Sequence, residues 1–463
     1  MISSFTSHDL VVSAADFGAV PNTDVFQDEY IQKAIDHCFL AGGGEVLIPT
    51  GRYNVRGMRL RSNVTLHLLE DAVLVASRNP DDYFILKHDT LEPVTEDELD
   101  ESCWVRKNGG PGNFHIYGGR WHNAIIRAYH AENIAVLGEK GSLIDGMNCY
   151  DAFGEEYYRG PHGIGIINCR HVVLRGYSIQ NTGNWAHEIQ NTQNILAEDI
   201  SAFAGHDGIH MTTCDDIIIR RCEFYTGDDC VAGFDNRNVL VEECILNTAC
   251  SAFRFGGTNV LIHHCRIFAP AKHLFRGSLS LEEKISGINA DDTKAGEAHR
   301  YNMLSLFTYY ADHSVAIRYP ASNIIIRDCT VDNADRFLHF NYSGNETWQN
   351  NKPLLEIKFE NITATGISMP LTAYGDAASP VELTFENVDF SFREGFEKNT
   401  FIHTANFKKI ILRDVLVRNF CGEHFIKSWS PEGCGGFVFD HLCCNTSGDL
   451  VLYTDEEFVC KPI

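Results

Sequence analysis

The chain has 463 residues, with 38 lysines and arginines against 62 aspartates and glutamates, for a formal net charge of −24. Phosphate binding wants a basic patch, so this balance argues against a nucleic-acid partner. Its field also disfavours long polyanions, unless a local basic cleft overrides it.

Hydrophobic residues at 44% and charged residues at 22% are an ordinary globular balance, ample for a large core. The first residues, M-I-S-S-F-T-S-H-D-L, lack a basic region and a long apolar stretch, and no apolar run approaches membrane-spanning length. A soluble cytoplasmic protein with no membrane partner is therefore expected. Sixteen cysteines in a large chain of this kind are expected as reduced thiols. C-x-x-C spacing is absent, which sets zinc-type pairing aside.

In chain order, the first predicted element is a helix in F-Q-D-E-Y-I-Q-K-A-I-D-H-C-F-L, with apolar residues at Tyr30, Ile31, Ala34, Ile35 and Cys38. A-G-G-G (41–44) stops it. The stretch 14–60 is expected to cap the element array that follows. That array is a repeat. S-N-V-T-L-H-L (from Ser62), E-N-I-A-V-L-G (from Glu132) and R-H-V-V-L-R-G (from Arg170) are its early copies. D-D-I-I-I-R-R-C (from Asp215), R-N-V-L-V-E-E-C (from Arg237), T-N-V-L-I-H-H-C (from Thr258) and S-N-I-I-I-R-D-C (from Ser322) continue it. Asn194, Asp216, Asn238 and Asn259 are spaced 22, 22 and 21 residues apart. Each copy alternates apolar and polar residues, and its length has room for short strands and turns only. One such unit cannot bury its apolar face alone, whereas stacked units can.

The expected fold is therefore an all-β, single-stranded parallel β-helix with an N-terminal capping helix, one domain over 1–463. The recurring Asn reads as a turn residue stacked from coil to coil. The recurring Cys222, Cys244, Cys265 and Cys329 read as small buried hydrophobes. Two stretches, 84–120 and 268–312, break the repeat and are expected as insertions walling a groove.

Chemistry concentrates where the period is most regular. G-H-D-G-I-H (205–210) carries His206, Asp207 and His210, and T-G-D-D-C-V-A (226–232) carries Asp228 beside Asp229. One period after Asp207 falls Asp228 or Asp229, and one further falls Cys250 or Ser251. His210, Ala232 and Arg254 follow one another at 22-residue steps. In I-H-M and F-R-F, alternation sends His210 and Arg254 to the outer face. Three carboxylates, two histidines and an arginine are thus expected on one patch. Glycosidic-bond cleavage needs one protonated carboxyl and an opposed carboxylate, and clustered acids supply both. Against this stands the bland reading of Asp-Asp as a solvated turn. Trp185 and His187, in G-N-W-A-H, fall one period before Asp207. Trp185 reads either as a sugar-stacking platform or as wall packing. Arg276, in F-R-G-S, reads either as a substrate contact or as an insertion salt bridge. His206, Asp207 and His210 are metal-capable types, but a strand staggers them, so neither a metal nor a cofactor is expected.

The N-terminal blocks D-F-G-A-V (16–20), A-I-D (34–36), A-G-G-G-E-V-L-I-P-T-G-R-Y (41–53) and L-I-D-G (143–146) are similar to those of the polygalacturonase family of pectin-active glycoside hydrolases. The resemblance covers roughly 14–270 and implies a right-handed parallel β-helix. That family carries N-T-D, G-D-D, G-H-G and R-I-K in turn. Here Asp207 keeps the first aspartate, although Gly205 replaces the Asn, and Asp228-Asp229 keeps the second motif. G-H-G is replaced by T-A-C-S-A-F-R-F-G-G (248–257), and R-I-K has no clear counterpart beyond Arg276. The resemblance implies Asp228 as general acid, with Asp207 and Asp229 activating water, and the activity expected is that of an inverting, exo-acting hydrolase. His206, His210, Arg254, Arg276, Trp185 and His187 would bind substrate, an oligosaccharide of galacturonide-like or neutral sugar. The alternatives are another carbohydrate-active enzyme on the same solenoid (a lyase, an epimerase or an intramolecular glycosyl transferase) and a non-catalytic carbohydrate-binding β-helix.

Overall fold

The helix forms where its apolar spacing calls for one, over Asp28–Leu40, and buries Ile31, Ala34, Ile35 and Cys38. It ends where Gly42 and Gly43 take φ of 93° and 143°. Gly44 then opens the first long strand directly beneath the helix, where a Cβ would stand 2.7 Å from Cys38 Sγ. That approach is too close for any other residue. The computed structural model of the chain describes residues 9–83, 86–94, 120–150, 159–276, 301–311, 318–342, 353–429, 435–446, 449–453 and 456–459. These fall into two compact units, residues 1–227 with 273–299 and residues 228–272 with 300–463.

In the first unit three ladders of parallel strands run side by side in sequence. One pairs Gly44–Ile48, Val64–Leu68, Glu132–Gly138, Arg170–Arg175, Gln193–Glu198 and Asp215–Arg220. A second pairs Met58–Leu60, Ala124–Tyr129, His162–Ile167, His187–Gln190 and Ile209–Thr212, one strand from each of the first five coils. The third pairs Gly51–Val55, Ala72–Ala76, Leu143–Asp145, Ser178–Gln180, Ser201–Ala204 and Glu223–Thr226. Each coil thus contributes one strand to each ladder, which is the architecture of a parallel β-helix. Side chains at alternate positions, such as Ile134, Val172, Ile195 and Ile217, stack inside and are fully or almost fully buried. Their burial supplies most of the cohesion, since each coil covers its neighbour's apolar face.

The second unit continues the same plan with longer strands. Val231–Glu242 pairs with Ser251–His263, and Ser322–Asp332, Glu356–Ile367, Val381–Phe392 and Phe407–Arg418 follow in parallel register. A second series runs Met303–Tyr309, Ala334–Asn341, Leu371–Tyr374, Ile402–Ala405 and Ile426–Ser428. Two antiparallel pairs, Gly436–Asp440 with Glu456–Val459 and Leu442–Thr446 with Asp449–Tyr453, cover strand edges that would otherwise be open.

The repeating Asn occupies a left-handed turn. Asn63, Asn133, Asn194, Asp216, Asn238, Asn259 and Asn323 all have φ between 50° and 59°. Within the units their amides bond from coil to coil, Asn133 to Asn63 at 2.8 Å and Asn323 to Asn259 at 3.0 Å. Cys222, Cys244, Cys265 and Cys329 are buried free thiols. Of the two stretches outside the repeat, the described part of the first places Asp89 against Arg59 at 2.7 Å and against Arg61 at 3.0 Å. Within 268–312, Met303–Tyr309 rejoins the parallel array. Residues 84–85, 95–119, 277–300 and 312 lie outside the described residues.

Candidate active site

In the first unit, G-H-D-G-I-H leads into the strand Ile209–Thr212. Ile209 and Met211 point inward with relative exposures of 1% and 0%, so His210 takes the other face. Its Nδ1 lies 2.8 Å from Asp207 Oδ2. Trp185 lies flat on the His210 ring, with centroids 3.7 Å apart and planes 5° from parallel. The indole also meets Trp121 edge-on at 6.0 Å and is buried. Asp207 is therefore held by an imidazole that is itself clamped by a tryptophan.

His206 is buried, and its Nδ1 lies 3.4 Å from Arg159 Nη1. His187 has both ring nitrogens engaged, Nδ1 with Gly208 O at 2.8 Å and Nε2 with the Tyr177 hydroxyl at 2.9 Å. Burial holds its pKa down at about 4, against the pull of the Gly208 carbonyl. Arg276 is buried too. It donates from Nη1 to Thr182 O at 3.0 Å and lies over the Tyr150 ring at 4.6 Å. The segment carrying Arg276 explains two glycines. A Cβ on Gly205 would stand 3.1 Å from the Arg276 side chain, and one on Gly227 would stand 1.7 Å from Leu274 O.

Behind the Trp185–His210 stack sits a cluster that the sequence reading did not single out. Glu188, the register partner of His210, is wholly buried. Its Oε1 lies 2.5 Å from His122 Nδ1 and accepts from the Gln190 amide at 2.8 Å. Its Oε2 lies 3.3 Å from His162 Nε2. Burial alone would raise the carboxyl, but His122, His162 and Arg127 overrule it and hold it at about 2. Burial holds the His162 imidazole down at about 4, against the attraction of Glu188. A signal for this cluster exists in the sequence, because His162, Glu188 and Arg127 interrupt otherwise apolar strands. It becomes legible only once the register aligns Arg127, Gly165 and Glu188.

In the second unit, Asp228 and Asp229 precede the strand Val231–Glu242 in a bend, and Asp229 is fully buried. Asp229 Oδ1 accepts from the Ser251 backbone N–H at 2.9 Å, and Oδ2 lies 3.8 Å from Arg254 Nη1. Phe253 and Phe255 face the core, which turns Arg254 outward, half-buried, over the Tyr310 ring at 4.2 Å. The Thr248 hydroxyl donates to the Asp228 carbonyl. Ser251 Oγ donates to Thr308 Oγ1 at 3.2 Å. Asp228, Asp229 and Cys250 each bring one potential ligand atom within 4.8 Å of the others. Hard carboxylates mixed with a soft thiolate favour no single cation class. The first unit thus gathers Trp185, His206, Asp207 and His210, with Arg276 packed against Gly205 and His187 bonded to the Gly208 carbonyl. The second gathers Asp228, Asp229 and Arg254.

Residues 112–247 match the family model for Glycosyl hydrolases family 28. This stretch contains Asp207, Asp228 and Asp229. A "Probable polygalacturonase" of Vitis vinifera is 26% identical over 232 residues, covering 48% of this chain and 43% of that protein. The chain spans about half the length of the curated relatives it matches. Among solved structures, the Thermotoga maritima exopolygalacturonase superposes with a TM-score of 0.60 at 16% identity, covering 99% of this chain and 97% of that one. The Yersinia enterocolitica family 28 exopolygalacturonase gives 0.57 at 15% identity, covering 91% and 77%. At such identities the structural likeness speaks for the fold. Over residues 112–247 the chain is thus similar to family 28 glycosyl hydrolases, and its fold is similar to that of these two exopolygalacturonases.

Proposed function

We propose that the chain hydrolyses a glycosidic bond of a short oligosaccharide with inversion. Asp228 protonates the leaving oxygen, and Asp207 and Asp229 activate the water. The observation that carries this reading is the spacing of G-H-D-G and T-G-D-D. Asp207 and Asp229 stand 22 residues apart, one repeat period, inside the stretch matched by the family model. The fixed settings of the two water-directing carboxylates support it. Asp207 is oriented by His210 and Asp229 by the Ser251 N–H, and oriented groups lower the barrier by removing misaligned states.

The name carried by the Vitis vinifera relative points to a galacturonide. The absence of an R-I-K counterpart leaves a neutral sugar open as substrate. A net charge of −24 favours a short chain over a long polyanion.

Asp228→Asn is expected to lower kcat by about 10³-fold, the scale of a lost general acid, while oligosaccharide binding persists. Unchanged turnover would overturn the assignment. NMR of the first product should show the inverted anomer. Ultraviolet absorbance from a new double bond would instead make the enzyme a lyase.

A further inference from the structure

The second unit carries a pair of adjacent histidines that the hydrolytic reading does not use. In T-N-V-L-I-H-H-C, Ile262 and Cys265 are buried, whereas His264 is exposed and His263 takes the outer face beside Ile262. Neighbours in a strand normally point to opposite faces. Here His264 has a φ of 54°, and this left-handed turn brings the two rings together. Their Nδ1 atoms face each other at 2.5 Å, with ring centroids 4.8 Å apart and planes at 74°. The pair stands on a different series of strands from the candidate active site. Residues 251–255 pair with the Met303–Tyr309 strand, and residues 258–263 with the Ser322–Asp332 strand.

The surroundings decide where the protons of the pair sit. His263 has Glu242 and Arg327 as register partners on the coils to either side. Glu242 Oε2 lies 3.4 Å from His263 Nε2. A carboxylate there takes the imidazole proton on Nε2 and leaves the Nδ1 lone pair aimed at His264. Arg327 is turned to Asp328, whose Oδ2 lies 3.6 Å from its Nε. The residues at the same turn one coil before and one coil after His264 are Glu243 and Asp328, with φ of 56° and 53°. Asp328 is already engaged by Arg327 and by the Asn361 amide at 2.9 Å. Glu243 is exposed and able to swing toward the rings. The two Nδ1 atoms at 2.5 Å are closer than an ordinary hydrogen bond of about 2.9 Å. A tetrahedral zinc-class ion at about 2.0 Å from each nitrogen needs about 3.3 Å between them, which a small rotation of the rings supplies.

We propose that His263 and His264 bind a divalent transition-metal ion of the zinc class through their Nδ1 atoms, with the Glu243 carboxylate as third ligand and water as fourth. Imidazole with carboxylate suits ions of this class. A carboxylate behind a ligating imidazole fixes its tautomer and raises its basicity, and Glu242 has that place behind His263. Glu243 and His264 belong to successive coils, so the ion clips one coil to the next. Its ligands are separate from the residues assigned to hydrolysis.

The test is titration of the full chain, freed of metal by a chelator, with zinc chloride by calorimetry and with cobalt(II) by absorption. Both ions should bind, zinc should raise Tm, and the cobalt complex should show tetrahedral visible bands without the near-ultraviolet absorption of a thiolate ligand. His263→Gln and His264→Asn should each weaken zinc about 100-fold, and Glu242→Gln about ten-fold. Asn keeps the left-handed turn, so the metal-free Tm of His264→Asn should match that of wild type. Asp228→Asn and Cys250→Ser should bind zinc as wild type does, which separates this site from the carboxylates and thiol of the candidate active site. The proposal is overturned by no uptake of either ion, by uptake undiminished in both histidine variants, or by a cobalt complex with thiolate absorption.

Discussion

Glu188 shows how a single buried residue can set the acid limit of the first unit. Its carboxylate is out of water and depends on His122 and Gln190 for hydrogen bonds. Removing the carboxylate takes away the negative charge that the buried Arg127 guanidinium faces and the acceptor of two buried hydrogen bonds, which is costly. Glu188→Gln is expected to destabilise the chain by about 3 kcal/mol in urea unfolding, and a loss near zero would show the cluster to be loosely solvated. The same groups predict the pH profile. His162 and His187 have folded values of about 4 against 6.5 as the ordinary value. Between those limits the unfolded chain takes up protons that the folded chain refuses, so stability falls as pH drops from 6.5 to 4. Glu188 at about 2, against 4.5, extends the loss from 4.5 down to 2. No gain is expected anywhere on that descent. Urea midpoints taken at neutral pH and at about pH 5 test it, and an unchanged midpoint would contradict buried neutral imidazoles.

At the scale of the element, the decisive feature is the left-handed turn repeated in each coil. Asn tolerates this conformation better than most residues because its short amide bonds locally. Here it also bonds to its neighbour above, as Asn259 does to Asn238 at 3.2 Å. Asn259→Ala loses both advantages and should cost about 3 kcal/mol, the sum of a left-handed penalty and the hydrogen bonds shared with Asn238 and Asn323. Asn259→Gly keeps the backbone freedom and should cost about half of that. Equal losses for the two would mean that the amide ladder, not the turn, carries the stability. This feature was legible in the sequence because it recurs: the eye needs only the Asn column to find the coil. The Glu188 cluster was not legible in the same way. His122 and Glu188 are 66 residues apart, and their meeting depends on how intervening coils register, which no local pattern encodes.

For the whole molecule, the repeat announced the parallel β-helix, the helix at Asp28–Leu40 and the inward stacking of the cysteines, because all three are periodic or locally amphipathic. The residues of the candidate site were named from two short motifs. What those motifs did not convey was the depth of their setting. His206, Asp207, His210, Trp185 and Arg276 are all buried: the segment around Leu274 packs against Gly205 and Gly227, and Trp121 packs against Trp185, which in turn covers His210. A long non-repeating stretch has no periodicity from which such packing can be foreseen.

The cysteines offer a test at this same scale. The thirteen described cysteines carry free thiols, and ten of them are buried. Burial pushes the Cys38 thiol up to about 11 and the Cys169 thiol up to about 12, the latter against hydrogen bonds to the backbone. Such groups offer almost no thiolate at neutral pH, and thiolate is the reactive species. In the native protein at least ten of the sixteen thiols should therefore resist a water-soluble disulfide reagent for hours. Guanidinium should release all sixteen at once, as the coils lose one another's cover. Rapid native reaction of more than six would show that the coils open far more readily than a continuous stacked core allows.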